Sequence, residues 1–218
     1  MINKYISLLG LFASLTIFSA DKEIHFMDYF KQPKPAKFNF THTVKANPET
    51  GSEKRVNKEV ITHYQTFKDT KLTEYYTDKL GTKFTWHNEV KDNKYIVKSF
   101  IIKSKTFSNT VKYEPHFMIF SEELLKKKEG TIKIQYSTKV THEQDGIKTP
   151  STHKYSTQIM FEFLDEYKGY KNVLMKKTFF TVNNVKSTEI TYHTLGLGCL
   201  FYKYDAKQYS IEFERIKE

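Results

Sequence analysis

The sequence predicts an all-β fold, and three observations support this prediction. About a dozen short segments alternate apolar and polar residues, the period of a strand with one buried face. Phenylalanine and tyrosine, which favour sheets, occur 18 and 15 times. Turn residues separate the segments, and few stretches show a helical period. We therefore expect one strongly curved antiparallel sheet, a half-barrel or open barrel with one or two short helices; a two-layer β-sandwich is the alternative.

The first twenty residues have the pattern of a secretory signal peptide. A short basic stretch ending at Lys4 precedes an apolar run over residues 5–18, and small residues lead into Asp21. The apolar run is too short for a comfortable membrane span. We expect cleavage after Ala20, while cleavage after Ser19 or a retained N-terminal anchor stays open. Residues 21–218 then form a single antiparallel β domain located in the periplasm or secreted.

The beginning of the mature chain predicts one short amphipathic helix over residues 21–32. Ile24, Met27 and Phe30 recur at three-residue intervals, and Pro33 then ends the helix. Alternation or β-propensity predicts strands over residues 37–45, 58–67, 72–76, 83–87, 95–103, 111–120, 131–140, 155–163, 172–182, 186–193, 196–202 and 208–216. Turns are expected over residues 47–51 and at Asn183-Asn184.

Four places in the middle of the chain carry more specific expectations. In the strand over residues 95–103, Tyr95 and Val97 face one way and Phe100 the other. Pro115 predicts an edge or a bulge in its strand. Residues 121–130 predict a short helix capped by Ser121 and ended by Gly130. Residues 141–151 predict a polar loop that contains Gly146 and Pro150.

The C-terminal part is the most patterned stretch of the mature chain. It contains Gly169-Tyr170-Lys171-Asn172-Val173-Leu174, an alternating strand, and then Ile190-Thr191-Tyr192-His193-Thr194-Leu195-Gly196-Leu197-Gly198-Cys199-Leu200. This arrangement resembles the closing motif of secreted Gram-negative β-rich domains, some of which are related in shape to periplasmic lipoprotein-carrier half-barrels. The resemblance implies a curved sheet that holds acyl chains, and it transfers no binding residues.

Two glycines near the C-terminus predict a bend. Gly196 and Gly198 stand two residues apart, so in a strand they share one face. Bare backbone there permits curvature or the close approach of a neighbouring segment. A phosphate-binding loop is rejected, because a third glycine, a following helix and a lysine-serine pair are all missing.

The sequence nominates no catalytic residue, metal ligand or cofactor. The eight histidines are scattered without close ligand spacing, and the carboxylates are dispersed. Cys199 is the only cysteine, so no intrachain disulfide forms, and we interpret it as a small buried apolar residue rather than a catalytic thiol. We therefore expect no enzyme activity.

The net charge of +10 indicates which classes of binding partner suit the protein. In an exported protein it favours anionic lipid headgroups or acidic cell-wall polymers over nucleic acid, although the spread of the lysines is typical of a solvated surface. The many aromatic residues and the little helix available to cover the sheet favour a groove for a hydrophobic or lipid-like ligand. The alternative is a protein interaction or assembly module of the cell envelope, without a ligand cavity.

Overall fold

Twelve antiparallel strands in the described part of the chain form one closed barrel. The computed structural model describes residues 24–46, 52–144, 146–182 and 185–217. The strands are β1 (Ala36–Val44), β2 (Arg55–Lys68), β3 (Lys71–Thr77), β4 (Lys83–Lys91), β5 (Lys94–Lys103), β6 (Phe107–Ser121), β7 (Glu129–Gln144), β8 (Ile147–Tyr167), β9 (Tyr170–Val182), β10 (Val185–Thr194), β11 (Gly198–Asp205) and β12 (Tyr209–Arg215).

Each strand pairs with its neighbours in sequence, and β1 closes the barrel against β12. The closing register runs from Phe38 opposite Arg215 to Val44 opposite Tyr209. The prediction of an all-β, strongly curved antiparallel sheet is confirmed, and the curvature goes far enough for the first and last strands to pair. The two-layer sandwich does not form.

Alternation sorts the side chains of β1 between the two faces of the sheet. Ala36, Phe38 and Phe40 are buried inside the barrel, while Lys37 and Asn39 are exposed outside. Over residues 37–40 this is the predicted arrangement; beyond Phe40 the exposure no longer alternates. Phe38 and Phe40 belong to an apolar cluster that also contains Ile61 and Tyr76.

A single 3₁₀ turn, Phe26–Tyr29, lies at one end of the barrel in place of the predicted longer helix. His25 caps it, and residues 26–30 pack into an apolar cluster with side chains from the barrel wall. The backbone N–H of Gly196 donates to the carbonyl oxygen of Asp28 at 2.8 Å. We call residues 26–30 the plug, because they cover this end of the barrel.

A short helix, α1 (Glu122–Lys127), connects β6 to β7 beside the plug. Ser121 caps it as predicted, with its hydroxyl oxygen accepting from the N–H of Leu124 at 3.4 Å. The predicted end at Gly130 is wrong. The helix ends at Lys127, its C-cap residue Lys128 adopts the left-handed conformation with φ 63°, and β7 begins at the next residue.

The predicted polar loop over residues 141–151 is wrong, because residues 141–144 and 147–151 extend a hairpin between β7 and β8. The pairing continues from Val140 opposite Ser151 to Gln144 opposite Ile147. Gly146 supplies the turn with φ +78°. These residues are polar because this part of the hairpin is largely exposed to solvent. Their polar composition therefore reflects exposure and is not evidence of a loop.

Bulges in β5 and β6 change which side chains face inward. Val97 pairs with Phe117 and Ser99 with Lys112, so the intervening residues of β6 bulge where Pro115 predicted an irregularity. Phe100 stands opposite Trp86 and stacks on it at 4.8 Å. Phe100 therefore shares the inner face with Val97, and the prediction that it faces the other way is wrong.

The two C-terminal glycines have different positions from those predicted. Gly196 lies in the turn between β10 and β11, and Gly198 begins β11. The close approach of a neighbour is confirmed at Gly198, where a Cβ atom would lie 3.3 Å from the carbonyl oxygens of Phe30 and Lys31. The predicted signal peptide and the turns at residues 47–51 and Asn183-Asn184 lie outside the described residues.

Candidate ligand-binding cavity

A cavity of about 200 Å³ lies inside the barrel, next to the plug. Phe30 belongs both to the cavity lining and to the apolar cluster around the plug, so its ring forms the floor. The rest of the lining comes from inward-facing positions of β1–β6 and β9–β12. The cavity therefore depends on closure of the sheet rather than on one local motif.

Aromatic rings form much of the cavity wall. Tyr76 is central to this wall, with its ring centroid 5.8 Å from that of Trp86 and 5.2 Å from that of Phe213. Phe213 in turn packs edge-on against Phe38 at 6.5 Å. These side chains are held by ring-to-ring contacts, which gives the wall a defined shape.

A carboxylate, that of Glu74, interrupts the aromatic wall. Its Oε2 accepts from Asn88 Nδ2 at 2.9 Å and from the hydroxyl of Tyr95 at 3.1 Å. Its Oε1 accepts from Gln65 Nε2 at 2.9 Å. Gln65 also donates to the carbonyl oxygen of Phe30 at 2.9 Å, so the network connects this wall to the plug. Burial and the adjacent Glu74 raise the pKa of the Tyr95 hydroxyl well above its usual value.

An ion pair lies on the opposite part of the lining. Lys176 Nζ is 3.2 Å from Glu189 Oε1, and the two side chains are 5 % and 18 % exposed. They come from β9 and β10, where Lys176 stands opposite Thr191 and Glu189 opposite Thr178. The charge of Lys176 is thus compensated inside the barrel.

His193 and Cys199 face each other across β10 and β11 and also line the cavity. Both residues line the cavity, and both side chains are partly buried. Burial, together with the charge of Lys176, lowers the pKa of His193 to about 3. Burial and the charge of Glu74 raise the pKa of Cys199 to about 12. At neutral pH both groups are therefore uncharged.

Three polar atoms of the cavity lining have no hydrogen-bond partner among the described residues. They are Asn88 Oδ1, Thr191 Oγ1 and His193 Nδ1. Asn88 and Thr191 are each only 4 % exposed. Buried polar groups are nearly always hydrogen-bonded, so these three atoms are exceptions. Each has almost no accessible surface, so a molecule in the cavity reaches the atom only if the side chain that carries it moves.

Cys199 was predicted to be a small buried residue; it is partly buried and packs against the apolar cluster around Phe38. Its thiol donates to the carbonyl oxygen of Phe201 at 3.4 Å. The sequence had nominated no ligand-binding residue, and the polar lining was missed. Lysine and glutamate within strands are usually exposed, so nothing in the alternation of β9 distinguished Lys176 from its neighbour Lys177.

No family model, curated protein or solved structure matches the chain. The C-terminal resemblance to secreted Gram-negative domains therefore stays a prediction. In the described ranges, no helix is long and apolar enough to cross a membrane. Over the same residues, no three histidine, cysteine, aspartate or glutamate side chains come together as a metal site.

Proposed function

We propose that the protein is a non-catalytic binding protein that holds a small hydrophobic or lipid-like molecule inside its barrel. The observation that carries this proposal is the cavity of about 200 Å³ inside the barrel, with its aromatic wall. Pockets for drug-sized ligands are typically ~300–1,000 Å³. The volume therefore favours a short ligand over a lipid with two full-length acyl chains.

The number of strands gives a physical reason for the cavity. A barrel of about eight strands has an interior that side chains just fill, and the diameter grows with strand number. In this barrel even large inward-facing residues such as Tyr76, Trp86 and Phe213 leave space between them. The plug covers one end, which shields that space from water on this side.

The compartment belongs to the same proposal. The signal-peptide pattern of residues 1–20 supports export, so the ligand would be met in the periplasm or outside the cell. We do not favour the alternative of an assembly module that pairs through a free sheet edge, because β1 and β12 pair with each other. The basic surface remains suited to peripheral contact with anionic headgroups.

The experiment is mass spectrometry of small molecules released by denaturing the purified protein. Val97 lines the cavity, and Val97→Phe fills part of it; Val60→Phe makes the same change on the outer face, where Val60 is 60 % exposed. We expect a ligand in the wild type and in Val60→Phe, and strongly reduced amounts in Val97→Phe. If the purified wild-type protein carries no ligand and also does not bind small hydrophobic probes, the proposal is overturned.

A further inference from the structure

We propose that the ligand of this cavity is a small organic ammonium compound, recognised by Glu74, Asn88 and the aromatic wall. This inference rests on the proposed function and names the class of ligand. It follows from three features of the lining: its balance of charge, the direction of its hydrogen bonds and the position of its rings.

The charges of the lining leave one carboxylate uncompensated. Glu189 is paired with Lys176, whereas the hydrogen bonds to Glu74 come from the neutral groups of Gln65, Asn88 and Tyr95. Within the described residues, Glu74 has no lysine or arginine as an ion-pair partner.

The other titratable groups near the cavity do not reverse this balance. Burial lowers the pKa of both His63 and His193, so neither supplies a positive charge at neutral pH. The positive charge of Arg215 lies close enough to act on His63 and Cys199. Its guanidinium donates to the carbonyl oxygens of Leu197 at 2.6 Å and of Cys199 at 3.4 Å, and it forms no ion pair with Glu74 in the described part of the chain. The lining therefore favours a cation over an anion.

The orientation of Asn88 shows what the ligand must donate. The carboxylate of Glu74 only accepts hydrogen bonds, so the amide nitrogen of Asn88 must face it, and the amide oxygen must face away. That oxygen, Oδ1, is buried and has no partner. It can accept only from an N–H or O–H donor, which an ammonium group supplies and an ionised carboxylate does not. Because the oxygen has almost no accessible surface, the Asn88 side chain must shift for a ligand to reach it.

The aromatic wall lies where it can contact the same cation. Glu74 stands directly opposite Trp86 in the pairing of β3 with β4, and directly opposed residues on one face have adjacent side chains. Tyr76 is the next inward-facing residue on β3 and lies 5.8 Å from Trp86, centroid to centroid. Cations bind favourably over such rings, most strongly over tryptophan, and quaternary ammonium ligands are recognised in this way.

A ligand with a carboxylate group would bind less favourably in this cavity than one with an ammonium group. It would have to approach Lys176, whose ammonium group is already 3.2 Å from Glu189. Two anions would then share one buried cation, and like charges close together in a buried site repel strongly. The short-chain fatty acid suggested by the acyl-chain resemblance is therefore the disfavoured ligand.

The test compares hexan-1-amine, hexan-1-ol and hexanoate, which share one hexyl chain and differ in charge at neutral pH. Binding is followed by the emission of Trp86, the only tryptophan of the chain, which lines the cavity. We expect the ammonium compound to bind at least about tenfold more tightly than the alcohol, and hexanoate to bind weakest. Equal binding of all three, or strongest binding of hexanoate, overturns this inference while the proposed function stands. If none binds, the proposed function fails as well.

Glu74→Gln removes the charge and keeps the size of the side chain. Because this change also disturbs the bonds to the plug, the measured quantity is the ratio of amine to alcohol affinity, which does not depend on general loosening of the cavity. We expect Glu74→Gln to abolish the tenfold ratio. Glu123→Gln removes a charge from an exposed position on α1 and should keep the ratio. An unchanged ratio in Glu74→Gln overturns the assignment to Glu74.

Discussion

Lys176 and Glu189 form an ion pair on the inner face of the barrel, with Nζ 3.2 Å from Oε1. Removing one partner of a buried pair leaves the other charge uncompensated, which typically costs ~3–5 kcal/mol. We expect Lys176→Met to lower the free energy of urea unfolding by about 3 kcal/mol, because Glu189 keeps some contact with solvent. The double variant Lys176→Met/Glu189→Leu should recover most of this loss.

The exposed pair of Lys171 and Glu166 is the matched control for this prediction. Surface ion pairs contribute about 1 kcal/mol or less, so Lys171→Met should have a small effect on unfolding. If Lys176→Met costs no more than Lys171→Met, the pair inside the barrel does not have the energetic role assigned to it.

The buried His193 predicts a loss of stability in mild acid. Its pKa is about 3 in the folded chain, against 6.5 for the free side chain, so the unfolded state binds the proton more tightly. The contribution of His193 to stability is therefore constant above pH 6.5 and is lost as the pH falls toward 3. Between pH 6.5 and about pH 5 we expect a loss of about 2 kcal/mol in urea unfolding.

His193→Gln should reduce this pH dependence markedly. Some dependence remains, because burial also lowers the pKa of His63 in the same direction. A wild-type protein with equal unfolding free energies at the two pH values would show that His193 is accessible to protons in the folded state.

Cys199 is predicted to be unreactive in the folded protein. Burial and the carboxylate of Glu74 raise its pKa to about 12, and the thiolate is the reactive form. Disulfide-exchange reagents at neutral pH should label it at least about a hundredfold more slowly than in the urea-unfolded chain. Equal labelling rates in the two states would contradict the enclosed position of this side chain.

Gly198 and Gly196 offer a matched pair of substitutions at the plug. Both have positive φ, at +74° and +72°, so alanine carries about 1 kcal/mol of backbone strain at either position. Only at Gly198 does the new Cβ also meet backbone, the carbonyl oxygens of Phe30 and Lys31 at 3.3 Å. Gly198→Ala should therefore destabilise the protein by at least about 1 kcal/mol more than Gly196→Ala in urea unfolding. Equal losses would mean that the plug does not pack against β11.

The strands of the sheet could be predicted from the sequence where one face of the strand is buried and the other is exposed to solvent. In β1, Phe38 and Phe40 alternate with Lys37 and Asn39, and the structure places them as that pattern requires. Prediction failed where a bulge reverses the alternation, as at Phe100. It also failed where a hairpin is exposed on both sides, as over residues 141–151, because neither face then needs apolar residues.

The polar lining of the cavity could not be predicted, because it depends on register and closure. Glu74 becomes a cavity residue only when β3 pairs with β4, and Lys176 meets Glu189 only through the pairing of β9 with β10. In the sequence these residues are separated and have the composition of surface positions. The inward position of Lys176 follows from its place in β9, two residues after Leu174, once that residue is known to be buried.

Titration of Trp86 emission with hexan-1-ol is the most direct measurement of whether the barrel interior binds small molecules. We expect a saturable change in the wild type and in Val60→Phe, and its loss in Val97→Phe, where the added ring occupies the cavity. A response that does not saturate, or that is the same in Val97→Phe, would contradict it.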